Sequence, residues 1–124
     1  MTVNKVILVG RLGKDPEIRY LPNQTQVAKF SIATNQFRNT GNEVKTTYTE
    51  WHNIVLYGKL AALAEKFLKK GNQCYIEGRI QSHKYTDRNG VEKTVYEIIG
   101  SELSLIEPKP KDTQENATND EPPY

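Results

Sequence analysis

Cysteine, tryptophan and histidine are scarce in this chain of 124 residues, and each scarcity excludes a class of site. The single thiol, Cys74, excludes an internal disulfide or a multi-cysteine metal site and indicates a reducing compartment. His52 and His83 lie far apart without a paired-ligand motif, so we expect no metal and no other cofactor. No run approaches the ~18 apolar residues of a membrane span, and the first residues lack a signal-peptide pattern. We therefore expect a soluble, cytoplasmic protein.

No set of residues in the sequence calls for catalysis. Residues 10–14 superficially resemble a phosphate-binding loop, but only two residues separate the glycines and Asp15 stands where a hydroxyl is needed. Asp15 and Glu17 are close in sequence, and a solvated turn explains them better than an acid–base pair. Cys74 lies on the apolar side of its predicted strand, which favours a buried structural thiol over a nucleophile. We predict a binding protein that is not an enzyme.

The composition changes near Glu107, which predicts a folded domain over residues 1–107 and a disordered tail over residues 108–124. The tail holds four of the six prolines and four acidic residues against two lysines. Such a segment buries too little apolar surface to offset the entropy of ordering. The rest of the chain carries 15 Lys and Arg against 11 Asp and Glu. A basic body with an acidic flexible tail is common among proteins that handle nucleic acids.

Alternating apolar residues predict an all-β body with one helix. Strand-like runs start at Val3, Val27, Val44, Cys74 and Val91, with a short strand at Glu17–Tyr20. Glycines inside these runs mark sharp bends. An apolar stripe at helical spacing predicts a helix over residues 59–70 that Gly71 ends. About five strands, with the helix between the third and fourth, indicate a five-stranded Greek-key barrel of the oligonucleotide/oligosaccharide-binding (OB) type.

The same alternation predicts which side chains are buried. The strand residues expected in the core are Val44, Tyr48, Ile54, Leu56, Cys74, Ile76 and Ile80. The helix residues expected to face the core are Leu60, Leu63, Ala64, Phe67 and Leu68. Several other aromatic residues are assigned by default to the core or to a subunit interface, namely Tyr20, Phe30, Tyr48, Phe67, Tyr75 and Tyr96.

Aromatic residues alternate with cations on predicted exposed faces, as binding to single-stranded nucleic acid requires. Unpaired bases stack on flat side chains, each worth ~1–3 kcal/mol, while Lys and Arg contact the phosphates. The candidate residues are Phe37, Arg38, Trp51, Tyr57, Lys59, Lys70, Arg79, Lys84, Tyr85 and Arg88. The roles of two of these sites stay open. Trp51 either stacks on a base or packs at a subunit contact. Lys69 and Lys70 either contact phosphate or only complement the helix dipole.

Three blocks, residues 3–20, 49–61 and 71–79, closely resemble the bacterial single-stranded DNA-binding proteins. The resemblance covers essentially residues 1–107 in the right order. It implies an OB fold, a homotetramer, and non-sequence-specific coating of single-stranded DNA in replication, recombination and repair. By this resemblance Phe37, Trp51, Tyr57 and Tyr85 stand at stacking positions, and His52 stands at a subunit contact. Tyr75, one of the aromatic residues assigned by default, is also placed at the subunit interface.

The tail also resembles that family, whose members often end in an acidic tip closed by an aromatic residue after proline. The tip here is Asp120, Glu121, Pro122, Pro123 and Tyr124. The resemblance implies that it docks onto replication and repair enzymes. A tail that only solubilises the protein is the alternative.

Two other functions stay open at this point. One is a replication-restart accessory OB protein, which would bind DNA as a smaller assembly and would typically lack the acidic, aromatic tip. The other is an OB module that recognises RNA or a protein. The expected partners are single-stranded DNA, further copies of the chain and replication or repair enzymes. No membrane contact is expected, and the expected location is the nucleoid within the cytoplasm.

Overall fold

The computed structural model describes residues 1–106, apart from the side chains of residues 46 and 47. The elements are β1 (Val6–Leu12), β2 (Glu17–Tyr20), β3 (Gln26–Thr40), β4 (Glu43–Tyr57), α1 (Lys59–Phe67), β5 (Gln73–Thr86) and β6 (Glu92–Ile106). The predicted tail and its acidic tip lie outside the described residues, as does the last residue of the predicted domain.

The strands form one sheet in the order β1-β5-β6-β4-β3-β2. The sheet closes on itself because β1 also pairs with β3, where Arg11 faces Ala33 and Leu12 faces Ile32. Five strands therefore ring the barrel, and the short β2 extends the sheet beside β3. The predicted all-β OB barrel is confirmed, with α1 between the third and fourth strands of the ring. Counting β2, the described residues contain six strands instead of five.

The barrel core is built from the inward residues of the ring strands and one side of α1. Its buried members are Leu12, Ala28, Phe30, Ile32, Ile54, Leu56, Ala61, Ala64, Leu68, Cys74, Ile76 and Ile98. The predicted burial of the thiol is confirmed, since Cys74 is fully buried. Burial raises the pKa of the Cys74 thiol to about 11, which keeps it protonated and unreactive at neutral pH.

Two long hairpins continue beyond the barrel, and they explain several wrong core predictions. The β3–β4 ladder runs to the pair Thr40–Glu43, and the β5–β6 ladder runs to Thr86–Glu92. On these arms the inward positions have no opposing sheet to cover them. Tyr48 and Ile80 are therefore exposed, although their place in the alternation predicted burial. Val44 is exposed for a different reason, because the bulge in β4 turns it to the face of Phe37.

The helix is shorter than predicted and buries a narrower stripe. It spans nine residues and ends at Phe67, where the N–H of Leu68 still donates to Ala64 O. Only Ala61 and Ala64 of the helix are buried, because small side chains let α1 sit close to the barrel. The prediction that Leu63 and Phe67 face the core is wrong, since both are exposed.

A pair of glycines produces the bend between β5 and β6. Gly78 faces Gly100, and the register shifts beside them so that Ser101 has no partner on β5. A Cβ atom on Gly100 would overlap the Leu56 side chain, and one on Gly78 would overlap the Ile99 carbonyl. The bend predicted from these glycines is thus a β-bulge that turns the hairpin out of the barrel wall.

Candidate nucleic-acid interface

Trp51 and Tyr57 lie on the outer face of the barrel, as their odd positions in β4 predicted. Residues directly opposite each other on paired strands point to the same side of a sheet. Val55, between the two aromatics, faces Ile99 of β6, and Ile99 faces Arg79 of β5. Trp51, Tyr57 and Arg79 therefore share one face, although β4 and β5 are not neighbours.

The same face carries the other two predicted stacking residues. Tyr85 is an even number of positions from Arg79, so both point the same way. Phe37 is an even number of positions from Ala33, which faces Trp51. The bulge beside Phe37 adds its extra residue to β4, so the alternation of β3 is undisturbed. The exposed fractions are 36% for Phe37, 53% for Trp51, 46% for Tyr57 and 45% for Tyr85.

Trp51 is held at one side by a residue that sequence reasoning missed. A Cβ atom on Gly13 would lie 2.7 Å from both Cη2 and Cζ3 of the indole, so the ring rests against bare backbone. The N–H of Gly13 donates to Ser31 O at 3.3 Å. The ring is thus fixed at one edge while half of its surface faces solvent. Only the absence of a side chain at Gly13 permits this contact, and no local pattern in the sequence indicates it.

An apolar floor lies between the aromatic residues. Val27, Val55 and Ile99 form a buried cluster on this outer face, separate from the barrel core. Tyr57 faces Val27 across the β3–β4 ladder. The alternation of β4 placed Val55 on the wet side, and the structure buries it because β6 pairs alongside. A face with aromatic rings around an apolar floor suits flat, partly apolar ligands.

The tip of the β5–β6 hairpin is ordered by one carboxylate. Asp87 Oδ1 accepts the N–H groups of Asn89 and Val91, each at 2.9 Å. Asp87 Oδ2 lies 3.4 Å from Lys93 Nζ. These hydrogen bonds, led by the one from Val91, hold the pKa of Asp87 below its usual value. The predicted Asn-Gly turn is present, with Gly90 at φ 79°, and Tyr85 and Arg88 lie next to it.

The predicted cations do not all share the aromatic face. Arg79 points to that face, whereas Arg38 and Lys84 alternate to the opposite side of their arms. Lys59 begins α1 directly after Gly58, and Lys70 follows the helix. All six predicted cations, Arg38, Lys59, Lys70, Arg79, Lys84 and Arg88, are exposed, and none forms an ion pair with another residue in 1–106.

Further cations share the aromatic face and were missed; Lys93 of β6, for example, faces Tyr85. Arg19 of β2 faces Val27, and Lys29 of β3 faces Val55. Arg19 Nε lies 3.2 Å from Glu17 Oε1 on the surface. The alternation of β3 already placed Lys29 on the outer face, which was the available signal. Nothing in the four residues of β2 indicated the position of Arg19.

Phe37 lines a cleft where β3 passes the outer side of β1. The cleft has a volume of about 570 Å³ and is also lined by Val9, Arg11, Asn35 and Ile106. The Arg11 guanidinium donates to Gly71 O at 2.8 Å, which holds that side chain against the barrel. Phe37 is therefore part of a concave site, unlike the open surface around Tyr57.

His52 and Tyr75 are the two predicted interface residues, and Tyr75 lies on the outer side of β5, opposite Val9 of β1. His52 points to the side opposite Trp51, and its Nε2 is 2.9 Å from Thr34 Oγ1. The Tyr75 hydroxyl donates to Glu77, and this hydrogen bond raises the pKa of Tyr75 and lowers that of Glu77. Lys5 Nζ lies 3.1 Å from the same carboxylate.

Most of the aromatic residues assigned to core or interface are not in the core of this chain. Phe30 is buried and Tyr75 is half-buried. Tyr20, Tyr48, Phe67 and Tyr96 are exposed, which excludes the core and leaves the interface assignment untested.

Within residues 1–106, no group of three or more His, Cys, Asp or Glu side chains is arranged to hold a metal ion. No helix in this part of the chain is long and apolar enough to cross a membrane.

The chain matches known proteins over almost all of the described region. The model of the single-strand binding protein family matches residues 3–106. Two proteins called single-stranded DNA-binding protein, from Neisseria meningitidis serogroups A and B, are each 51% identical to it over 106 residues. The match covers 86% of this chain but only 61% of each relative.

A solved structure has the same fold. A chain from a structure described as "Plasmodium falciparum SSB complex with ssDNA" superimposes with a TM-score of 0.77 at 37% identity. The match covers 86% of this chain and 97% of that chain. Because the family model spans almost all of the described barrel and both curated relatives share half of the matched residues, the chain belongs to the single-strand binding protein family.

Proposed function

We propose that this protein binds single-stranded DNA without sequence specificity and coats it during replication, recombination and repair. The observation that carries the proposal is the shared outer face of Phe37, Trp51, Tyr57 and Tyr85, each partly exposed. Single-stranded DNA exposes unpaired bases, and rings spaced along a protein face can stack on successive bases. The fold neighbour, described as an SSB complex with single-stranded DNA, supports the same ligand.

The chemistry of this face accounts for binding without sequence preference. A stacked ring contacts the π-face of a base, which every base possesses, and reads no hydrogen-bonding edge. The buried floor of Val27, Val55 and Ile99 excludes water beneath the bases. Arg79 on the same face, with Lys59 and Arg88 at its margins, supplies positive charge for the phosphates. These side chains act on the DNA by contact and charge alone, so no bond is made or broken.

Assembly into a homotetramer belongs to this proposal. Ile7 and Val9 leave apolar surface on the outer side of β1, and Val9 faces Tyr75 on β5. A second uncovered surface contains Ile80 and Tyr96 and lies beside His52. Contiguous apolar surface of this kind is typically covered by another subunit. His52 and Tyr75 are therefore proposed as interface residues and not as DNA contacts.

We propose separate roles for the two parts of the chain. Residues 1–107 form the DNA-binding domain, and residues 108–124 form a separate segment whose tip recruits replication and repair enzymes. Two acids and an aromatic residue close together, as in Asp120, Glu121 and Tyr124, suit a basic and apolar pocket on a partner. This tip lies outside the described residues, so its composition is the support for the role. Removal of the last six residues is expected to abolish pull-down of such enzymes and to spare DNA binding.

A fluorescence titration tests the main proposal. The full chain is titrated with poly(dT) while the emission of Trp51 is followed, and duplex DNA and single-stranded RNA are then added as competitors. We expect strong quenching that both competitors reverse only weakly. Better binding to RNA would favour an RNA-recognising OB module. No binding by emission or by an independent probe would refute the proposal, and a molar mass below a tetramer would favour the accessory role.

A further inference from the structure

The turn that follows α1, residues 69–72, is attached to the end of β1 by backbone hydrogen bonds. The N–H of Leu12 donates to Asn72 O, and the N–H of Gly71 donates to Leu12 O, each at 2.9 Å. Arg11 adds its guanidinium hydrogen bond to Gly71 O. The position of the turn is therefore set by its hydrogen bonds to β1 as well as by the end of the helix.

Two side chains satisfy the N–H groups of the lysines in this turn. The N–H of Lys69 donates to Asn72 Oδ1, and the N–H of Lys70 donates to Asp15 Oδ1, each at 2.7 Å. Because the helix ends at Phe67, these N–H groups have no helical carbonyl as partner. Asn72 belongs to the turn itself, whereas Asp15 reaches it from a position 55 residues away in the chain.

Asp15 needs an explanation because its charge opposes the proposed ligand. It is exposed, it forms no ion pair with any residue in 1–106, and it stands beside Lys14 and Lys70. A carboxylate there repels DNA phosphates. A solvated turn, the interpretation from sequence, does not account for its hydrogen bond with the N–H of Lys70.

The loop that holds Asp15 also contacts Trp51. Gly13, two residues earlier, supports the indole ring. One short segment, residues 13–15, therefore touches the proposed stacking residue at one end and the backbone of Lys70 at the other. Residues 13–15 therefore connect the Trp51 ring with the backbone of Lys70.

We infer that Asp15 is a positioning residue for DNA binding. Its carboxylate fixes the backbone of Lys70 relative to Trp51, so that a strand with a base stacked on Trp51 presents a phosphate to the Lys70 ammonium group. Asp15 itself touches no DNA. The inference rests on the proposed function, since it assigns one residue to the geometry of that binding site.

Two matched variants of the full chain test this role. Asp15→Asn and Asp15→Ala remove the same charge, but only the asparagine retains an oxygen that can accept the Lys70 N–H. Loss of one phosphate contact makes the log–log salt slope shallower by about 0.7 and weakens binding by about fivefold at 0.1 M salt. We expect this difference between the alanine and asparagine variants in poly(dT) titrations. Lys70→Ala is expected to weaken DNA binding by the asparagine variant more than DNA binding by the alanine variant.

Other results would overturn the inference. Equal affinities and slopes for the two variants would mean that only the charge of Asp15 matters. If the alanine variant binds poly(dT) more weakly with an unchanged salt slope, Asp15 has a structural role alone. The same conclusion would follow if Lys70→Ala lowered the affinity of both variants equally. If the alanine variant does not fold, Asp15→Ser, whose side-chain oxygen is one bond closer to the backbone than Asp15 Oδ1, replaces it. Failure of the wild-type chain to bind poly(dT) would refute the proposed function itself.

Discussion

Trp51 and Gly13 meet with no side chain between them. The six-membered ring of the indole lies where a Cβ of residue 13 would be, at 2.7 Å from two ring carbons. One edge of the ring is therefore supported by backbone, and 53% of the residue remains accessible. This arrangement restricts the orientation of the ring before any ligand arrives, which lowers the entropy lost on stacking.

Gly13→Ala is expected to displace the Trp51 ring at little cost in stability. The added methyl group meets the far end of a half-exposed side chain, which can rotate away more easily than a packed backbone. We expect a shift in Trp51 emission, a nearly unchanged melting temperature and weaker poly(dT) binding. Unchanged emission and affinity would show that the contact with Gly13 does not orient the ring.

Trp51→Ala separates the two roles left open for this residue. If the ring stacks on a base, binding weakens by ~1–3 kcal/mol while the molar mass is unchanged. If the ring packs between subunits, the main effect of the substitution is a lower molar mass of the assembly, and any loss of affinity follows from it. Anisotropy of labelled oligo(dT) measures the affinity, since the variant lacks tryptophan, and light scattering measures the mass. We expect the first result.

Tyr57→Ala and Tyr48→Ala form a matched pair on the same strand. Both tyrosines are about half exposed, at 46% and 56%, but they point to opposite faces of β4. Tyr57 shares the face of Trp51, so its loss is expected to weaken binding by ~1–3 kcal/mol. Tyr48, whose hydroxyl donates to Glu50 at 2.7 Å, is expected to be neutral for DNA. Equal effects in oligo(dT) titrations would contradict the assignment of the binding face.

The affinity for single-stranded DNA is expected to fall with salt, with a log–log slope of about −0.7 for each phosphate neutralised. Arg79→Gln removes one charge from the aromatic face and is expected to make the slope shallower by about that amount. Lys45→Gln is the control, because Lys45 lies far along the β3–β4 arm beside Glu43. A slope near zero in the wild-type protein would exclude phosphate contacts as a source of affinity.

The hairpin tip is expected to loosen in acid. The pKa of Asp87 is held below its ordinary value of 3.8, so the folded tip favours the ionised form. Its stabilisation is complete above that ordinary value and is lost as the pH falls through the lowered pKa. Hydrogen exchange at the Asn89 and Val91 amides, measured against pH, tests this. In Asp87→Ala these amides should exchange rapidly at every pH, while those of Ile76 stay protected.

Much of the fold follows from local patterns. Period-two alternation identified the strands around Phe30, Ile54 and Ile76, because an apolar residue at every second position makes a strand stable only with one face covered. Gly78 and Gly100 indicated the bend, and the stripe around Ala64 indicated the helix. These features depend on residues close in sequence, so they could be predicted without the structure.

The alternation of apolar and polar residues could not show at which residue each strand leaves the barrel. Tyr48 and Ile80 continue the inward pattern, yet they lie on arms that no second sheet covers. Val44 also fits the alternation in sequence, but the bulge in β4 turns it to the other face. Leu63 fits the helical stripe, but the close approach allowed by Ala61 and Ala64 leaves it at the edge of the contact. Burial depends on what lies opposite, and that is decided by distant strands.

The sequence by itself determined the types of element, their order and the set of exposed aromatic and basic residues, because each rests on neighbours along the chain. Only the tertiary structure decided which of them meet. Barrel closure sets the register that places Tyr85 on the face of Trp51 and sends Lys84 to the other. It also brings Gly13 under the indole and Asp15 to the backbone of Lys70. Such pairings follow from the packing of the whole barrel, since no short stretch of sequence contains both partners.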